Sequence, residues 1–354
     1  MQLSAEAKKI LNDDSHLARR NLWFKRLENL FSGKPDPYVD EFVFCVDGIL
    51  GSSGVDLYEK PEEWVLACLE NLSQRTGETE DDYTFVPACI EHPAFGVHFI
   101  DRIFGARVFF KDGQWWNEPL KTPVGDLAEP DLDNDKTFDL ARRAAVAFLE
   151  QDVRIPVFGL PTIASVLNVA VNLYGEEILT AILLEPEKAE HDFKIINEVL
   201  IKVHRWYREV LPKETLQPVI SWQRTQPFGF GQICGCSTAL LSNAAYREFI
   251  QPLDTALLEV YPNGGMIHLC GDHVRHIESF REIKALRAFQ INDRAAWDFE
   301  TYFKELRNDQ IIYLNPCEGM TVEKAVGLSG GERLVIAGVR GKEIRRENRK
   351  AGGK

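Results

Sequence analysis

The sequence predicts an α/β protein built as a (β/α)8 barrel of the TIM type, with a helical N-terminal extension and a small β-hairpin insertion. Eight short apolar runs typical of strands follow residue 84, and segments with helical periodicity separate most of them. The chain has 354 residues, which is long enough to bury the core of such a barrel. The same alternation also fits a doubly wound open sheet.

The first 80 residues are predicted to be helical and irregular. Helices are expected up to Leu11, from Ser15 to about Leu30, and from Pro61, where a proline followed by two glutamates is typical of a first turn. Residues 106–116 are predicted to form the β-hairpin, because Asp112-Gly113 is a typical two-residue turn.

The remaining elements follow in regular order. The predicted strands cover residues 84–90, 153–159, 217–223, 231–238, 264–270, 286–292, 310–316 and 332–338. The predicted helices cover residues 137–150, 162–173, 175–184, 186–211, 243–261, 274–283, 295–306 and 321–328. The expected division is an extension over 1–80, a barrel over 81–340 and a charged, solvated tail over 341–354.

Composition excludes several classes of function. The net charge of −13 argues against nucleic acid as the main partner, because proteins that bind the phosphate backbone usually present a basic face. No apolar run approaches the ~20 residues of a membrane span, and the start lacks the apolar core of a signal peptide. The expected location is therefore the cytoplasm.

Cysteine usage separates into two groups. Seven cysteines without a secretion signal do not predict a disulfide framework. Three of them lie in apolar surroundings and are interpreted as buried small hydrophobic residues: Cys45, Cys68 and Cys89. The other four lie beside glycine or proline at the ends of apolar runs and are candidates for chemistry: Cys234, Cys236, Cys270 and Cys317.

The stretch 264–272 carries the strongest chemical signal. His268 and Cys270 are two residues apart on a predicted strand, so their side chains point to the same face. An imidazole nitrogen and a thiolate sulfur are common zinc ligands. Because a catalytic zinc site needs a third protein ligand, the end of a neighbouring strand is the place to search for it.

Two sources of a third ligand are open. Cys317 follows the seventh strand and would face the same rim, which gives the triad His268, Cys270 and Cys317 as predicted metal ligands; a buried structural thiol is the alternative. Cys234-Gly235-Cys236 is the rival source, as a ligand, a redox pair or a wall of the pocket.

Polar residues at other strand ends complete the predicted site. Asp293 is the candidate catalytic residue, as a general base, a partner that orients His268 or an acceptor for substrate; the alternative is a helix N-cap. The predicted substrate-binding residues are Glu91, His92, Cys236, Asn292 and Asn315, although Glu91-His92 before a proline also fits an ordinary loop. His273 and His276 are interpreted as surface or packing residues.

Several segments in order resemble the uroporphyrinogen decarboxylase-like superfamily, which includes corrinoid-dependent methyltransferases. Residues 267–271 resemble its H-x-C-G element, and this is the most distinctive piece. Weaker similarity over roughly residues 85 to 320 lies in 101–105, 159–161, 174–177, 185–187, 241–252 and 313–316. Residues 1–60 contain no counterpart of the decarboxylases' arginine-rich signature, which favours the methyltransferase branch.

The resemblance implies a (β/α)8 barrel with its pocket at the carboxyl ends of the strands. It implies zinc on the His and Cys of the motif plus a later Cys, and a separate corrinoid (cobalamin) protein that supplies or receives the methyl group. The family's last Cys lies near the end of the eighth strand, where this chain has Ala337-Gly338-Val339. Cys317 lies one strand earlier, so either it substitutes from a neighbouring position, or a carboxylate such as Glu318 contributes, or the site lacks the ligands that function needs.

Three functions follow as expectations. The first is a zinc-dependent methyltransferase that moves a methyl group between a corrinoid protein and a small methylated donor or a thiol acceptor. The second is a metal-free, decarboxylase-like lyase acting on a carboxylated substrate. The third is a non-catalytic binding protein that kept the fold. The sequence leaves the direction of transfer and the oligomeric state open.

Overall fold

The computed structural model describes residues 2–347, which form a mixed α/β structure of parallel sheets, helices and one antiparallel hairpin. The strands are β1 Phe44–Val46, β2 Ile49–Leu50, β3 Ala88–Glu91, β4 Arg107–Lys111, β5 Gln114–Glu118, β6 Val157–Gly159, β7 Leu216–Gln217, β8 Gly231–Cys234, β9 Gly265–Cys270, β10 Leu286–Asn292, β11 Ile311–Leu314 and β12 Leu334–Ala337. The α-helices are α1 Ala5–Ile10, α2 Asp14–Ser32, α3 Pro37–Glu41, α4 Pro61–Ser73, α5 Phe99–Ile103, α6 Lys136–Glu150, α7 Val166–Tyr174, α8 Glu176–Leu184, α9 Pro186–Val210, α10 Ser221–Arg224, α11 Asn243–Ala245, α12 Gln251–Leu258, α13 Ile277–Glu282, α14 Asp293–Trp297, α15 Phe299–Glu305 and α16 Val322–Ser329.

Two parallel sheets meet at a bend near the N-terminus. One has six strands in the order β1-β12-β11-β10-β9-β8, and the other has four in the order β2-β3-β6-β7. Only Asp47 and Gly48 separate β1 from β2, so one continuous stretch contributes to both sheets. Within the described range no ladder joins β7 to β8. The predicted alternation of strands and helices is confirmed, whereas the predicted closed barrel is not found.

The segment 218–226 accounts for the missing ladder. It turns inward after β7, where the carbonyl of Trp222 accepts from the backbone N–H of Gly48 and the carbonyl of Thr225 accepts from the Tyr313 hydroxyl at 2.8 Å. The side-chain amide of Gln217 then donates to the Gln226 carbonyl at 3.1 Å and accepts from the Gln226 backbone N–H at 3.0 Å. Hydrogen bonds from a side-chain amide, rather than a backbone strand ladder, therefore hold this segment after β7.

Two sequence predictions are corrected by these elements. The predicted strand 217–223 is wrong after Gln217, where β7 ends. The segment then leaves the sheet edge to fill the interior, and Ser221–Arg224 form α10. The predicted helical and irregular extension also contains β1 and β2, which pair with β12 and β3. Short strands of three and two residues have too little period-two pattern to be separated from irregular structure by sequence.

An inner cluster of buried side chains lies between the sheets. Successive residues alternate, since Met266 belongs to this cluster whereas Ile267 and Leu269 belong to the outer core against the helices. Neighbouring strands repeat the alternation, with Ala288 inside and Phe289 outside. His268 and Cys270 follow Met266 with period two, so they continue the inner face toward the carboxyl end of β9.

Helix α2 closes the interior at the other end of the strands. The helix begins after Asp13, whose carboxylate accepts from the N–H groups of Ser15 and His16, and it ends at Gly33 with φ of 61°. Its buried face contributes Trp23, Phe24, Leu27, Leu30 and Phe31 to the inner cluster. The predicted helix from Ser15 to Leu30 is thereby confirmed, and it forms the floor of the fold.

The hairpin and the C-terminal segment complete the structure. Strands β4 and β5 pair antiparallel around Asp112 and Gly113, whose φ values of 52° and 80° both lie in the left-handed region that this turn requires. The predicted hairpin is confirmed.

The C-terminal segment returns to the first strand. Arg340 contacts the Asp47 carboxylate at 3.0 Å, and the carbonyl of Ile344 accepts from the backbone N–H of Val43 at 2.8 Å. The chain around Arg340 and Ile344 therefore contacts the residues on either side of β1. Of the charged, solvated tail expected over 341–354, residues 348–354 lie outside the described residues.

No single helix within residues 2–347 is both long enough and apolar enough to cross a membrane. The pair α7 and α8 passes by length and composition only, and it is bent by 109°.

A buried carboxyl makes stability pH-dependent. Asp254 of α12 is fully buried and accepts from the Tyr246 hydroxyl at 3.0 Å; burial raises its pKa from 3.8 to about 7. Between these values the folded state binds the proton that the unfolded state has lost, so stability falls as pH rises from about 4 to 7. We expect Asp254→Asn to remove up to about 4 kcal/mol of this loss, at about 1.4 kcal/mol per pH unit.

Urea unfolding at a series of pH values measures this effect. The matched control is Glu259→Gln, which changes an exposed carboxylate just after the same helix. A wild-type protein whose unfolding free energy did not fall between pH 4 and 7 relative to Asp254→Asn would contradict the assignment.

Candidate metal centre

Three potential metal ligands meet at the ends of β8 and β9. The Sγ atoms of Cys234 and Cys236 and a ring nitrogen of His268 all lie within 4.8 Å of one another. The two sulfurs are 3.7 Å apart, and the Sγ of Cys270 lies 2.8 Å from that of Cys236. All four side chains are half-buried. We call Cys234, Cys236, His268 and Cys270 the sulfur–imidazole cluster.

Strand register and one glycine bring the cluster together. Cys234 of β8 pairs with His268 of β9, and Gly235 donates its N–H to the His268 carbonyl at 2.9 Å. A Cβ at position 235 would lie 2.5 Å from Cδ1 of Ile267. Only glycine lets the chain turn this closely against β9, and this turn places Cys236 beside Cys270.

His268 is held by a series of amides across the sheet. Its Nδ1 contacts Oε1 of Gln290, which is directly opposite on β10. Nε2 of Gln290 donates to Oδ1 of Asn315 at 2.6 Å, and Nδ2 of Asn315 donates to the Ala337 carbonyl at 3.3 Å. Because the amide oxygen of Gln290 can only accept, Nδ1 carries the proton and the lone pair of Nε2 is left for a ligand.

The thiols perturb one another strongly. The pKa values of Cys234 and Cys270 are lowered first by hydrogen bonding to Cys236, while burial opposes this shift and the nearby His268 assists it. The pKa of Cys236 is raised, first by its hydrogen-bond contacts with the sulfurs of Cys234 and Cys270 and then by burial. The metal-free cluster therefore favours thiolates at Cys234 and Cys270 and keeps a proton on Cys236, which a metal bound there would displace, because cysteine binds metal as the thiolate.

A buried cation lies beside the sulfurs. Arg224 of α10 is only 8% exposed, and burial lowers its pKa against the opposing charges of Cys234 and Glu91. With the Gln232 amide oriented to satisfy both of its polar atoms, its Oε1 accepts from Nη1 of Arg224 at 3.2 Å. Nε of Arg224 is buried and has no hydrogen-bond partner among residues 2–347.

The donor set fits zinc. Two thiolates at ~2.3 Å from one zinc ion at the tetrahedral angle lie ~3.8 Å apart, and Cys234 and Cys236 are separated by 3.7 Å. The Nε2 lone pair of His268 is available as a third donor. Cys270 lies too close to Cys236 for a tetrahedral edge, so it joins a metal only after its side chain rotates.

The structure separates the predicted ligands. His268 and Cys270 share the cluster, but Cys317 belongs to no group of three metal-ligand atoms among the described residues. Its Sγ lies 3.9 Å from the Asp293 carbonyl. Cys236 lies at the centre of the cluster, and its predicted role as a substrate contact stays a prediction. The role of Cys317 as a ligand stays a prediction.

Gln290, not Asp293, contacts Nδ1 of His268. Asp293 is the first residue of α14, where its backbone φ is 47° and its side chain is exposed. The catalytic role of Asp293 stays a prediction.

The predicted substrate contacts lie on different faces. Glu91 points inward, where burial raises its pKa to about 7 and its Oε2 has no partner among residues 2–347. The Oδ1 of Asn292 is likewise buried and unpartnered within that range. His92 points outward between Trp64 and Phe99, so it packs in the outer core. Asn315 contacts Gln290 and so belongs to the series that holds His268.

His273 and His276 are packing residues, as the sequence suggested. His273 contacts the Thr238 hydroxyl at 2.8 Å and the Cys270 carbonyl at 2.9 Å, and His276 contacts the Thr238 carbonyl at 2.9 Å. Both are fully buried. They tie the loop after β8 to the loop after β9, directly behind the cluster.

Sequence reasoning missed Gln290 and Arg224. The signal for Gln290 is that it is a polar residue between the apolar Phe289 and Ile291, at a position that shares its strand face with Ala288. Arg224 had none, because the segment that carries it was expected to continue as a strand or loop.

Comparison with known proteins finds a likeness in fold. The structure is similar to a solved structure described as a methyltransferase from Methanosarcina mazei, with a TM-score of 0.60 and 12% sequence identity; the match covers 92% of this chain and 94% of that chain. At this identity the likeness shows the fold alone. No family model matches the sequence, and no curated protein matches it. Membership in the superfamily that the sequence resembles therefore stays a prediction.

Proposed function

We propose that this protein is a zinc-dependent methyltransferase that moves a methyl group between a corrinoid protein and a small methylated donor or thiol acceptor. The observation that carries the proposal is the sulfur–imidazole cluster, in which an oriented imidazole and two sulfurs at a tetrahedral edge length face the interior. The similar fold of a methyltransferase supports it. A cytoplasmic location, expected from composition, is part of the proposal.

The proposal treats the two sheets as parts of a (β/α)8-type barrel. The bend between β1 and β2 joins them on one side, and the segment 218–226 fills the place between β7 and β8. In such an architecture the reacting groups belong at the carboxyl ends of the strands. The cluster lies at the ends of β8 and β9, as this rule requires.

Cys234, Cys236 and His268 would hold the metal, and Cys270 is a reserve donor beside them. A bound zinc ion would supply Lewis acidity, either to deprotonate a substrate thiol or to polarise the heteroatom of a methylated donor. Three protein ligands leave one position for a reactant. The amide series through Gln290 and Asn315 fixes the imidazole, so little reorganisation is needed when a reactant binds.

Unpartnered polar atoms near the cluster are candidates for binding the reactant. Nε of Arg224 would hold an anionic group, and the Oε2 of Glu91 would accept from a donor group or, while protonated near neutral pH, donate to one. Each buried group left unsatisfied costs free energy that a bound reactant recovers. We assign substrate orientation to Arg224, Glu91 and Asn292.

Methyl transfer with free cobalamin tests the proposal. We expect the zinc-loaded protein to demethylate methylcobalamin anaerobically in the presence of 2-mercaptoethanol, or to methylate cob(I)alamin from one of a panel of methylated amines, ethers and sulfonium compounds. His268→Ala should lower the rate roughly 100-fold or more, because it removes a ligand of the Lewis acid. The absorbance change of the cobalamin measures the rate.

Loss of activity must be distinguished from misfolding. Leu184→Ala, on a side chain that is 74% exposed, is the control variant and should react as the wild type does. A zinc-loaded protein that reacts with neither cobalamin form would contradict the proposal.

The amide contact to His268 gives a second prediction. Gln290→Leu keeps the side-chain volume but removes the acceptor, so we expect zinc affinity to fall about 10–100-fold. Gln290→Glu keeps an acceptor and should bind zinc at least as tightly as the wild type. Competition with a chromogenic chelator measures the affinity, and Gln114→Leu on the exposed hairpin is the matched control. Unchanged affinity in Gln290→Leu would show that Gln290 does not orient a ligand.

A metal-free lyase is the second candidate, and Arg224 is the observation that favours it. A buried guanidinium with a free Nε can polarise a substrate carboxylate without a metal. The metal content of the purified protein separates the two functions. Metal-free protein that releases carbon dioxide from a polycarboxylate would support the lyase.

A further inference from the structure

We infer that Cys236 and Cys270 are a redox modification site that forms a reversible disulfide when a peroxide reaches the sulfur–imidazole cluster. The pair joins two strand ends that are 34 positions apart in sequence. The disulfide itself follows from the sulfur geometry alone. Its consequence for activity rests on the proposed function.

The two sulfurs are placed for bond formation. Their separation of 2.8 Å is shorter than the 3.7 Å between Cys234 and Cys236 and is closer to the ~2.0 Å of a disulfide. Cys236 follows β8 and Cys270 ends β9, and these strands are hydrogen-bonded neighbours. Neighbouring strands lie ~4.8 Å apart, within the range of Cα separations that disulfides span.

The other cysteines are poor competitors for this reaction. Cys45, Cys68 and Cys89 are at most 1% exposed, and burial raises the pKa of Cys45 and Cys68 to about 12. Thiols of this kind are inert toward oxidants. Cys317 is partly exposed, but its Sγ contacts the Asp293 carbonyl at 3.9 Å and belongs to no thiol pair among residues 2–347. Within that range, the thiol pairs placed to form a disulfide therefore lie in the cluster.

The chemistry balances with peroxide as the oxidant. One thiol sulfur attacks a peroxide oxygen, the O–O bond breaks, and the departing hydroxide takes the thiol proton and leaves as water. The second sulfur attacks the resulting sulfenic sulfur, the S–S bond forms, and the S–OH group leaves as hydroxide that takes the second proton. Two thiols and hydrogen peroxide give one disulfide and two waters, so the sulfurs lose the two electrons that peroxide gains.

Disulfide formation and metal binding compete for the same sulfur. Cys236 is the common neighbour of Cys234 and Cys270, and a sulfur in an S–S bond is no longer a thiolate ligand. Oxidation therefore removes a central donor. A dithiol reductant restores both thiols by exchange.

Peptide mapping of the full-length protein tests the pairing directly. Trypsin cleaves after Arg224, Arg247 and Arg275, so the peptide 225–247 carries Cys234 and Cys236 while 248–275 carries Cys270. After hydrogen peroxide treatment and digestion without reductant, we expect these two peptides to be linked. The count of free thiols should fall by two from the seven of the reduced chain, and dithiothreitol should restore it.

Matched variants identify the partners. Cys236→Ser should lose the linked peptides, whereas Cys234→Ser and Cys317→Ser should keep them. In zinc-loaded protein a chromogenic chelator should detect metal released in step with the cross-link. A link that survives in Cys236→Ser, a disulfide within 225–247, or oxidation to sulfinic acid without any link would overturn the inference.

The outcomes also separate this inference from the proposed function. A protein that forms the cross-link but holds no zinc and transfers no methyl group refutes the function and leaves the modification site intact. Zinc-dependent methyl transfer without the cross-link refutes only the modification site.

Discussion

His268→Ala and Cys236→Ser are each expected to reduce the zinc content of the purified protein from about one ion per chain to less than about a tenth. His268 is the only nitrogen donor in the group of three ligand atoms within residues 2–347, and Cys236 is the sulfur that the other thiols approach. With either one removed, the preformed group falls to two donors where a catalytic zinc site needs three, and Cys270 supplies a third only after its side chain rotates. Metal analysis after anaerobic purification measures the loss.

Cys317→Ser is the control for this experiment, because its sulfur lies outside the group. It should retain full zinc. Retention of zinc in Cys236→Ser together with its loss in Cys317→Ser would restore the ligand set predicted from sequence and contradict the one proposed from the structure. Circular dichroism of each variant verifies that the fold is intact.

Trp23→Ala is expected to lower the free energy of unfolding by about 3–5 kcal/mol. The indole is 2% exposed and packs on Tyr38 at 5.0 Å, Phe44 at 5.6 Å and Phe85 at 6.0 Å between ring centroids. Removing it leaves a cavity where α2 meets the inner cluster, and the surrounding rings relax only partly. Urea unfolding monitored by circular dichroism gives the value.

The neighbouring residue supplies the comparison. Leu22 is 50% exposed on the same helix, so Leu22→Ala should change stability by no more than about 0.5 kcal/mol. An equally small effect of Trp23→Ala would mean that α2 does not contribute to closing the interior.

The fold could be predicted wherever hydrophobic periodicity was long enough. The strand Leu286–Asn292 has the predicted bounds, and α9 ends one residue before its predicted end. The segment 218–226 could not be predicted, because its inward path depends on hydrogen bonds with Gly48 and Tyr313 from distant parts of the chain. Ile220 even takes φ of 55°, which no local propensity favours for a β-branched residue.

Part of the candidate site could be predicted from periodicity as well. His268 and Cys270 follow the period-two rule within one strand, which sequence alone reveals. The third ligand depends on which strand end comes near, and the predicted order of strands favoured Cys317 over the rival Cys234-Gly235-Cys236. The close turn at Gly235 against Ile267 decides the geometry, and that distance is a property of packing between strands.

The aromatic floor formed by α2 has a kinetic consequence. Because the buried side chains of α2 fill the interior at the amino ends of the strands, we expect reactants to reach the sulfurs from the carboxyl ends. Under the proposed function, the small reactant would bind before a macromolecular methyl carrier covers that end. Steady-state kinetics should then follow a compulsory order, with the small molecule first on and, after exchange of the methyl group, last off.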